Sequence, residues 1–266
     1  NLHIVSCNVG QGDSILISLG SFQILTDGGP DNKVLRCLGN HMPFWDRKID
    51  VVILTHPQLD HYGGFLEVFK RYEIGTFVAN EVDSSTPMYT LLKNVVGSQG
   101  IKVVNPRQGM KIRYGLLYLD ILNPSQTIYD EAIVKDNSKV LGTFDTKRDL
   151  NDFSVVDRIN YGHFKAILTG DIGPNMLPEI ISSNNLSKVI YLKVPHHGSK
   201  NGMTQEFLDI LDPEIAVISV GAKNLYGHPS PEIIKMLEDK RVLTKRTDKD
   251  GDVEVITDGQ KWWLVK

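Results

Sequence analysis

Residues 50–55 form the short, largely apolar run Asp-Val-Val-Ile-Leu-Thr, which breaks off directly into His56-Pro57-Gln58-Leu59-Asp60-His61, with Gly63 and Gly64 just beyond. The run has the length and β-branched content of a buried strand. Donors at the carboxyl end of such a strand lie where loops build sites. A tight turn brings His56 back toward Asp60 and His61, so two imidazoles and a carboxylate can converge on a divalent ion. The pattern recurs downstream. Val194-Pro195-His196-His197-Gly198-Ser199 follows another apolar strand, and Leu168-Thr169-Gly170-Asp171 places a carboxylate after a third. A histidine pair alone also reads as solvated turn, and Asp171 alone as a cap or turn former. Three strand ends with metal-type donors in one chain favour the metal reading.

The remaining pattern is mixed α/β. Three short strands, Leu2 to Ser6, Ser14 to Ser18 and Phe22 to Thr26, are separated by Gly10, Gly12 and Gly20, with Gly28 after the third. A helix is predicted over Val34 to His41 and another over Phe65 to Tyr72. Then come strand 75–79, helix 88–96, strand 101–104 and a hairpin over 111–122 turning at Gly115. Residues 123–150 are polar and irregular and read as an insertion or lid. Strands at 153–160 and 164–169, a helix at 175–182, strand 188–194, helix 204–211, strand 215–220, helix 231–238 and three closing strands complete the order. Both halves run strands first, then strand and helix in alternation, which predicts two sheets face to face with helices outside. No interdomain linker interrupts 1–266, so a single domain is expected.

Composition narrows the function. With 41% hydrophobic and 23% charged residues the chain folds, and no apolar run approaches the roughly 20 residues that span a bilayer. The chain opens on Asn1 without a charged leader and apolar signal stretch, which reads as a processed product or an excised domain. Cys7 and Cys37 are too few for a disulfide framework and sit in no CxxC pattern, leaving the compartment open. The net charge of −3 argues against whole-surface capture of a nucleic acid, so any contact with one would depend on local cations such as Lys193, Lys200 and Lys223. His3, His41 and His163 fall outside every motif and read as structural or surface residues; Trp262 and Trp263 read as core packing on a closing strand.

Seven segments together resemble the metallo-β-lactamase superfamily, and within it the ComEC-like branch associated with DNA uptake and competence. They are Asn8-Val9-Gly10-Gln11-Gly12-Asp13, Asp27-Gly28-Gly29, His56 to His61, Asn151-Asp152-Phe153-Ser154, Leu168 to Asp171, His196-His197-Gly198-Ser199 and Tyr226-Gly227-His228-Pro229. The resemblance covers nearly the whole chain. It implies a four-layer αββα sandwich and water attack on an ester, amide, thioester or phosphodiester at one or two divalent ions, zinc or manganese. Carried over by position, His56, Asp60, His61, Asp171 and His197 are the metal ligands, with Asp171 bridging. Asp27 supports the metal loop by hydrogen bonds. His196 faces the substrate, since successive side chains point to different sides. Asp60 orients the nucleophile, and His196 and His228 join it as catalytic residues. Asn151, Ser199 and Lys200 are the substrate-binding set, the last two offering a hydroxyl and an ammonium to phosphate oxygens. Lys200 also reads as an ordinary solvated lysine, and His228 as a turn residue.

Two departures bear on the metals. Gln58 stands where the superfamily motif usually has a histidine, and the Asn151 to Ser154 segment replaces the separate histidine expected before the bridging Asp. An amide oxygen is a harder, weaker donor than imidazole. A site built from His56, Gln58 and Asp171 therefore tilts from zinc toward manganese or stays empty. The expected function is a monomeric metal-dependent hydrolase, a nuclease or phosphodiesterase acting on DNA, extracytoplasmic or membrane-associated. The alternatives are a small-molecule hydrolase (lactonase, phosphoesterase or weak β-lactamase), which a pocket closed by 123–150 would favour, and a catalytically silent binding module with a depleted metal site.

Overall fold

The structure is a computed structural model that describes residues 1–130, 133–134 and 141–265. Its strands in chain order are β1 (Leu2–Ser6), β2 (Ile15–Leu19), β3 (Phe22–Thr26), β4 (Lys48–Leu54), β5 (Glu73–Ala79), β6 (Val103–Val104), β7 (Lys111–Tyr114) and β8 (Leu117–Asn123). They continue with β9 (Ile133–Val134), β10 (Phe144–Asp145), β11 (Val156–Tyr161), β12 (Phe164–Leu168), β13 (Tyr191–Lys193), β14 (Ile215–Ile218), β15 (Leu243–Arg246), β16 (Val253–Thr257) and β17 (Trp262–Leu264). One sheet has the order β17-β16-β1-β2-β3-β4-β5-β6, the other β15-β14-β13-β12-β11-β8-β7, and β9 pairs with β10 apart from both. Each sheet is antiparallel on one side and parallel on the other. The parallel runs are β3 to β6 and β12 to β15.

Period-two burial explains the layers. In the first sheet Ile4, Ile17, Ile24 and Ile53 face the second sheet, while their chain neighbours Val5, Leu16, Leu25 and Val52 face outward. The outward set is covered by helices Val34–His41, Phe65–Arg71 and Pro87–Ser98 through Leu38, Phe65, Phe69 and Leu92. The second sheet repeats this arrangement. Ala166, Leu168, Tyr191, Ile215 and Val217 point inward, and Ile167, Leu192, Ala216 and Ile218 meet helices Leu177–Asn184, Gln205–Leu211 and Pro231–Asp239. Each fully buried Leu, Ile or Phe contributes about 1.5–3 kcal/mol, and three stacked apolar layers of this kind make the αββα sandwich. Helix starts follow sequence chemistry: Thr86, Thr204 and Ser230 accept from the backbone N–H three residues on, and Pro87 and Pro231 occupy first-turn positions.

Several expectations change in detail. The strands expected at 101–104 and 188–194 shrink to β6 and β13, and residues 59–62 form an unanticipated helical turn. Segment 123–150 contains helix Gln126–Asp130, β9 and β10; residues 131–132 and 135–140 lie outside the described residues. Cys7 and Cys37, which counting left as no framework, are joined in a disulfide because the end of β1 packs against the first helix, with Cα atoms 5.7 Å apart. Trp262 packs against the core between the sheets as expected, but Trp263 is half exposed because it points to the opposite face of β17. No helix among the described residues is long and apolar enough to cross a membrane.

Candidate metal centre

The carboxyl ends of the parallel strands converge at one rim of the sandwich, the place where open α/β sheets put their sites. Asp27 follows β3, the 55–61 loop follows β4, Asp171 follows β12, His197 follows β13 and His228 follows β14. Gly12 has a φ of +136°, and a Cβ there would collide with the Asp60 carbonyl oxygen. Glycine therefore lets the 8–13 loop close against the metal loop, where the Asp13 N–H donates to that same carbonyl at 3.3 Å.

Asp60, His61, Asp171 and His197 each offer one ligand atom, and these atoms lie within 4.8 Å of one another. His61 Nε2 is 3.4 Å and His197 Nε2 3.1 Å from Asp171 Oδ2, and Asp60 Oδ2 is 3.5 Å from His197 Nε2. Both Nε2 atoms and Asp171 Oδ1 are buried yet make no directed hydrogen bond among the described residues. Their rings are fixed from behind. His61 Nδ1–H donates to Asp27 Oδ2 at 2.7 Å, and His197 Nδ1–H donates to the Ser219 carbonyl at 2.9 Å. When neutral, each imidazole thus presents its Nε2 lone pair to the cluster, as metal-ligating histidines do. Two imidazoles and two carboxylates at this spacing fit a divalent ion such as zinc or manganese.

The buried carboxylates set the protonation of both imidazoles. Burial by itself would neutralise His61, but Asp171, Asp27 and Asp60 override it and hold its pKa well above the usual value. His197 is raised in the same way, by Asp171 and Asp13 against burial. Burial pushes the Asp60 and Asp171 carboxyls up, and the imidazoles outweigh it and hold both below the ordinary carboxylate range. Burial of Asp13 is overcome by Lys193 and His197, and its pKa falls to about 2. Lys193, a fully buried cation, pairs with Asp13, donates to the Gly170 carbonyl at 2.9 Å and lies 3.6 Å from Asp171 Oδ1.

Asp27 stands where the resemblance placed it. It accepts from Thr55 N–H at 2.8 Å, Thr55 Oγ1 at 2.7 Å and His61. His56 lies beside the four-residue cluster, outside it. Its ring is 4.1 Å from that of His61, and its Nε2 is buried without a hydrogen-bond partner among the described residues. Burial, then the neighbouring His61, pushes its pKa down to about 3. The 151–154 segment delivers Ser154, whose hydroxyl meets His56 Nδ1 at 3.3 Å and accepts from Asp171 N–H at 3.2 Å. Asn80 and Asn123 hold this segment, their side-chain amides donating to the Phe153 carbonyl and to the Asp152 and Ser154 carbonyls.

A shallow cavity of about 120 Å³ opens over the cluster, lined by Gln11, Gln58, Asp60, Asp171, His196, His197, Tyr226 and His228. Asp60 is the exposed member of the cluster, its side chain 31% accessible against 0–2% for the other three. The adjacent histidines are separated by a turn rather than by strand alternation: His196, His197 and Gly198 have φ of 50°, 54° and 78°. His197 goes inward and His196 lines the cavity, with its ring 5.7 Å from that of His228.

Three expected substrate contacts lie outside the cavity lining. Asn151 is buried in the short 3₁₀ turn Leu150–Phe153, Ser199 accepts from Asn201 N–H within its own turn, and Lys200 is exposed. Lys193 cannot reach DNA, because it is sealed between the sheets. A lysine at the end of the apolar stretch 189–194 is the signal that marks it as buried. No described residue of 123–150 lines the cavity.

Two facing mixed sheets with a His/Asp cluster at one rim define a metallo-hydrolase architecture. The profile of the metallo-β-lactamase superfamily matches residues 7–222, and the chain belongs to that superfamily. Among curated relatives it is 26% identical over 208 residues to ComE operon protein 3 of Bacillus subtilis, covering 78% of this chain and 24% of that protein. It is 24% identical over 257 residues to Recombination protein 2 of Haemophilus influenzae, covering 93% of this chain and 28% of the other. The chain thus spans about a quarter of the length of these relatives. Among solved structures, the metallo-β-lactamase fold protein YhfI from Bacillus subtilis superposes with a TM-score of 0.59 over 100% of both chains at 12% identity.

Proposed function

We propose that this chain is a metal-dependent phosphodiesterase, a nuclease acting on DNA in a competence-type setting. The observation that carries the hydrolytic part is the convergence of Asp60, His61, Asp171 and His197, with both Nε2 atoms turned toward Asp171, under an open cavity. A divalent ion held there supplies Lewis acidity and lowers the pKa of water toward neutrality. The protein's own groups do the rest. Asp60, the accessible carboxylate, orients the attacking water, while His196 and His228 at the cavity wall offer N–H donors to phosphoryl or leaving oxygens.

Cavity size favours a polymer over a small substrate. Pockets that engulf drug-sized molecules run to about 300–1,000 Å³, and a space of about 120 Å³ admits a phosphoryl-sized group with its remainder on the rim. The names of the curated relatives, ComE operon protein 3 and Recombination protein 2, point the same way. The buried Cys7–Cys37 disulfide suits an oxidising, extracytoplasmic compartment. One ion in the four-residue cluster is the simplest loading; a second, against His56 and Gln58, would have a weak amide donor.

The test is elemental analysis of purified protein together with cleavage of single- and double-stranded DNA under manganese, zinc or chelator. Metal-dependent cleavage that chelator abolishes supports the reading. A metal-loaded protein that leaves both DNAs intact yet opens a lactone or β-lactam makes it a small-molecule hydrolase, and one that binds no metal makes it a silent module.

A further inference from the structure

The rim of the cavity carries a feature that metal chemistry does not require. Leu225 is 98% and Tyr226 72% exposed, side by side at the tip of the loop after β14. Exposed apolar loop tips are ordinarily mobile, but this one is built. The Asn224 side chain accepts from Tyr226 N–H at 3.2 Å and His228 N–H at 2.9 Å, and donates to the Gly221 carbonyl at 2.8 Å and the His228 carbonyl at 2.7 Å. All of the hydrogen-bonding capacity of one amide is spent on holding the tip in shape. Tyr226 lines the cavity and stacks on His228, with ring centroids 5.6 Å apart and planes 27° from parallel. One ring, His228, separates it from the cluster residue His197.

A rigid aromatic face beside a cavity that admits little more than a phosphoryl group has a natural occupant if the substrate is a polynucleotide. We propose that Tyr226, flanked by Leu225, is a stacking platform for the unpaired nucleobase next to the phosphodiester in the cavity, so that the site selects single-stranded or frayed nucleic acid over intact duplex. The proposal rests on the phosphodiesterase reading. Stacking is tolerant of base identity because every base has a π-face. It also replaces the contacts expected of Lys200 and Ser199, which lie away from the cavity.

The experiment compares wild type with Tyr226→Ala and Tyr226→Trp, manganese-loaded, on a fluorescent oligothymidylate and on an abasic deoxyribose-phosphate oligomer of equal length. Binding is read by anisotropy and cleavage by KM. Because Tyr226 is exposed, both variants are expected to keep the wild-type metal content and melting temperature. Wild type is expected to favour the base-bearing oligomer by roughly 5- to 100-fold, Tyr226→Ala to bring that ratio close to one, and Tyr226→Trp to restore it. An unchanged ratio in Tyr226→Ala overturns the platform while leaving the hydrolase reading intact. Tyrosine-dependent binding with no cleavage by any form overturns the hydrolase reading and leaves the platform standing. If Tyr226→Ala instead abolishes sedimentation with lipid vesicles and leaves oligothymidylate binding unchanged, the tip is a membrane anchor and the proposal fails.

Discussion

His61 and His197 aim Nε2 at the same point from opposite sheets, but they are supported differently. Behind His61 stands a carboxylate, Asp27, which also ties down Thr55. Behind His197 stands a neutral backbone carbonyl, with Asp13 at 3.4 Å already matched by Lys193. On the first side, buried charge tunes a ligand. On the second it fastens the molecule, because Asp13 follows β1 and Lys193 ends β13, so their ion pair links the two sheets. The contrast separates what holds the metal from what holds the sandwich, and it can be tested from either side.

The largest effect is expected where the two sides meet. Asp171→Ala and His197→Ala should each reduce bound metal in the purified protein to background, and a full complement in both would remove the cluster from consideration. Next comes Lys193→Met, which leaves Asp13 buried without its partner. Breaking such a pair costs about 3–5 kcal/mol, which denaturant unfolding of chelated protein would detect. If Lys193→Met loses metal without losing stability, the division of labour is reversed.

Asp27→Asn should weaken metal binding by about 10–100-fold, as loss of a group that orients a metal-bound histidine does. Competition with a chromogenic chelator measures it, and the comparison predicts a smaller effect on unfolding than Lys193→Met has.

The mildest and most diagnostic test is pH. Carboxylates raise the pKa of both His61 and His197 above the usual 6.5, so metal must displace protons, and affinity should fall with pH from above that value downward. Chelated protein should slope the other way. A raised folded-state pKa contributes stability that is full below the unfolded value and is lost as pH rises through the folded one. Its melting temperature should therefore decline on the alkaline side of 6.5, and a flat profile would mean that the carboxylates do not hold these imidazoles.

The first side of the site was far more legible in the sequence than the second. His56, Asp60 and His61 lie within one loop, where spacing alone brings donors together, although the structure leaves His56 beside the cluster. Asp171, His197 and His228 come from three strand ends whose proximity is a product of parallel pairing in the second sheet. The order of elements pointed to the layers, because each half runs strands first and then alternates strand with helix. It could not give the roles of Lys193, Ser154 or Asn224, which depend on contacts over long separations or on one side chain folding a loop. Lys193 illustrates the gap: its charge is visible in the sequence, but the burial of that charge is a property of the packed sheets.

The turn at His196 and His197 has a consequence for anyone who would improve this protein. Left-handed backbone at a residue with a Cβ costs on the order of 1–3 kcal/mol, and here two consecutive histidines adopt it. Glycine at position 196 would relieve one of these costs and raise the melting temperature while stripping the cavity of an imidazole. A campaign that selects variants on heat resistance alone would be drawn to that substitution, and toward a sturdier molecule with a poorer site. At this residue durability and chemistry are opposed by the backbone itself, so a screen has to score both.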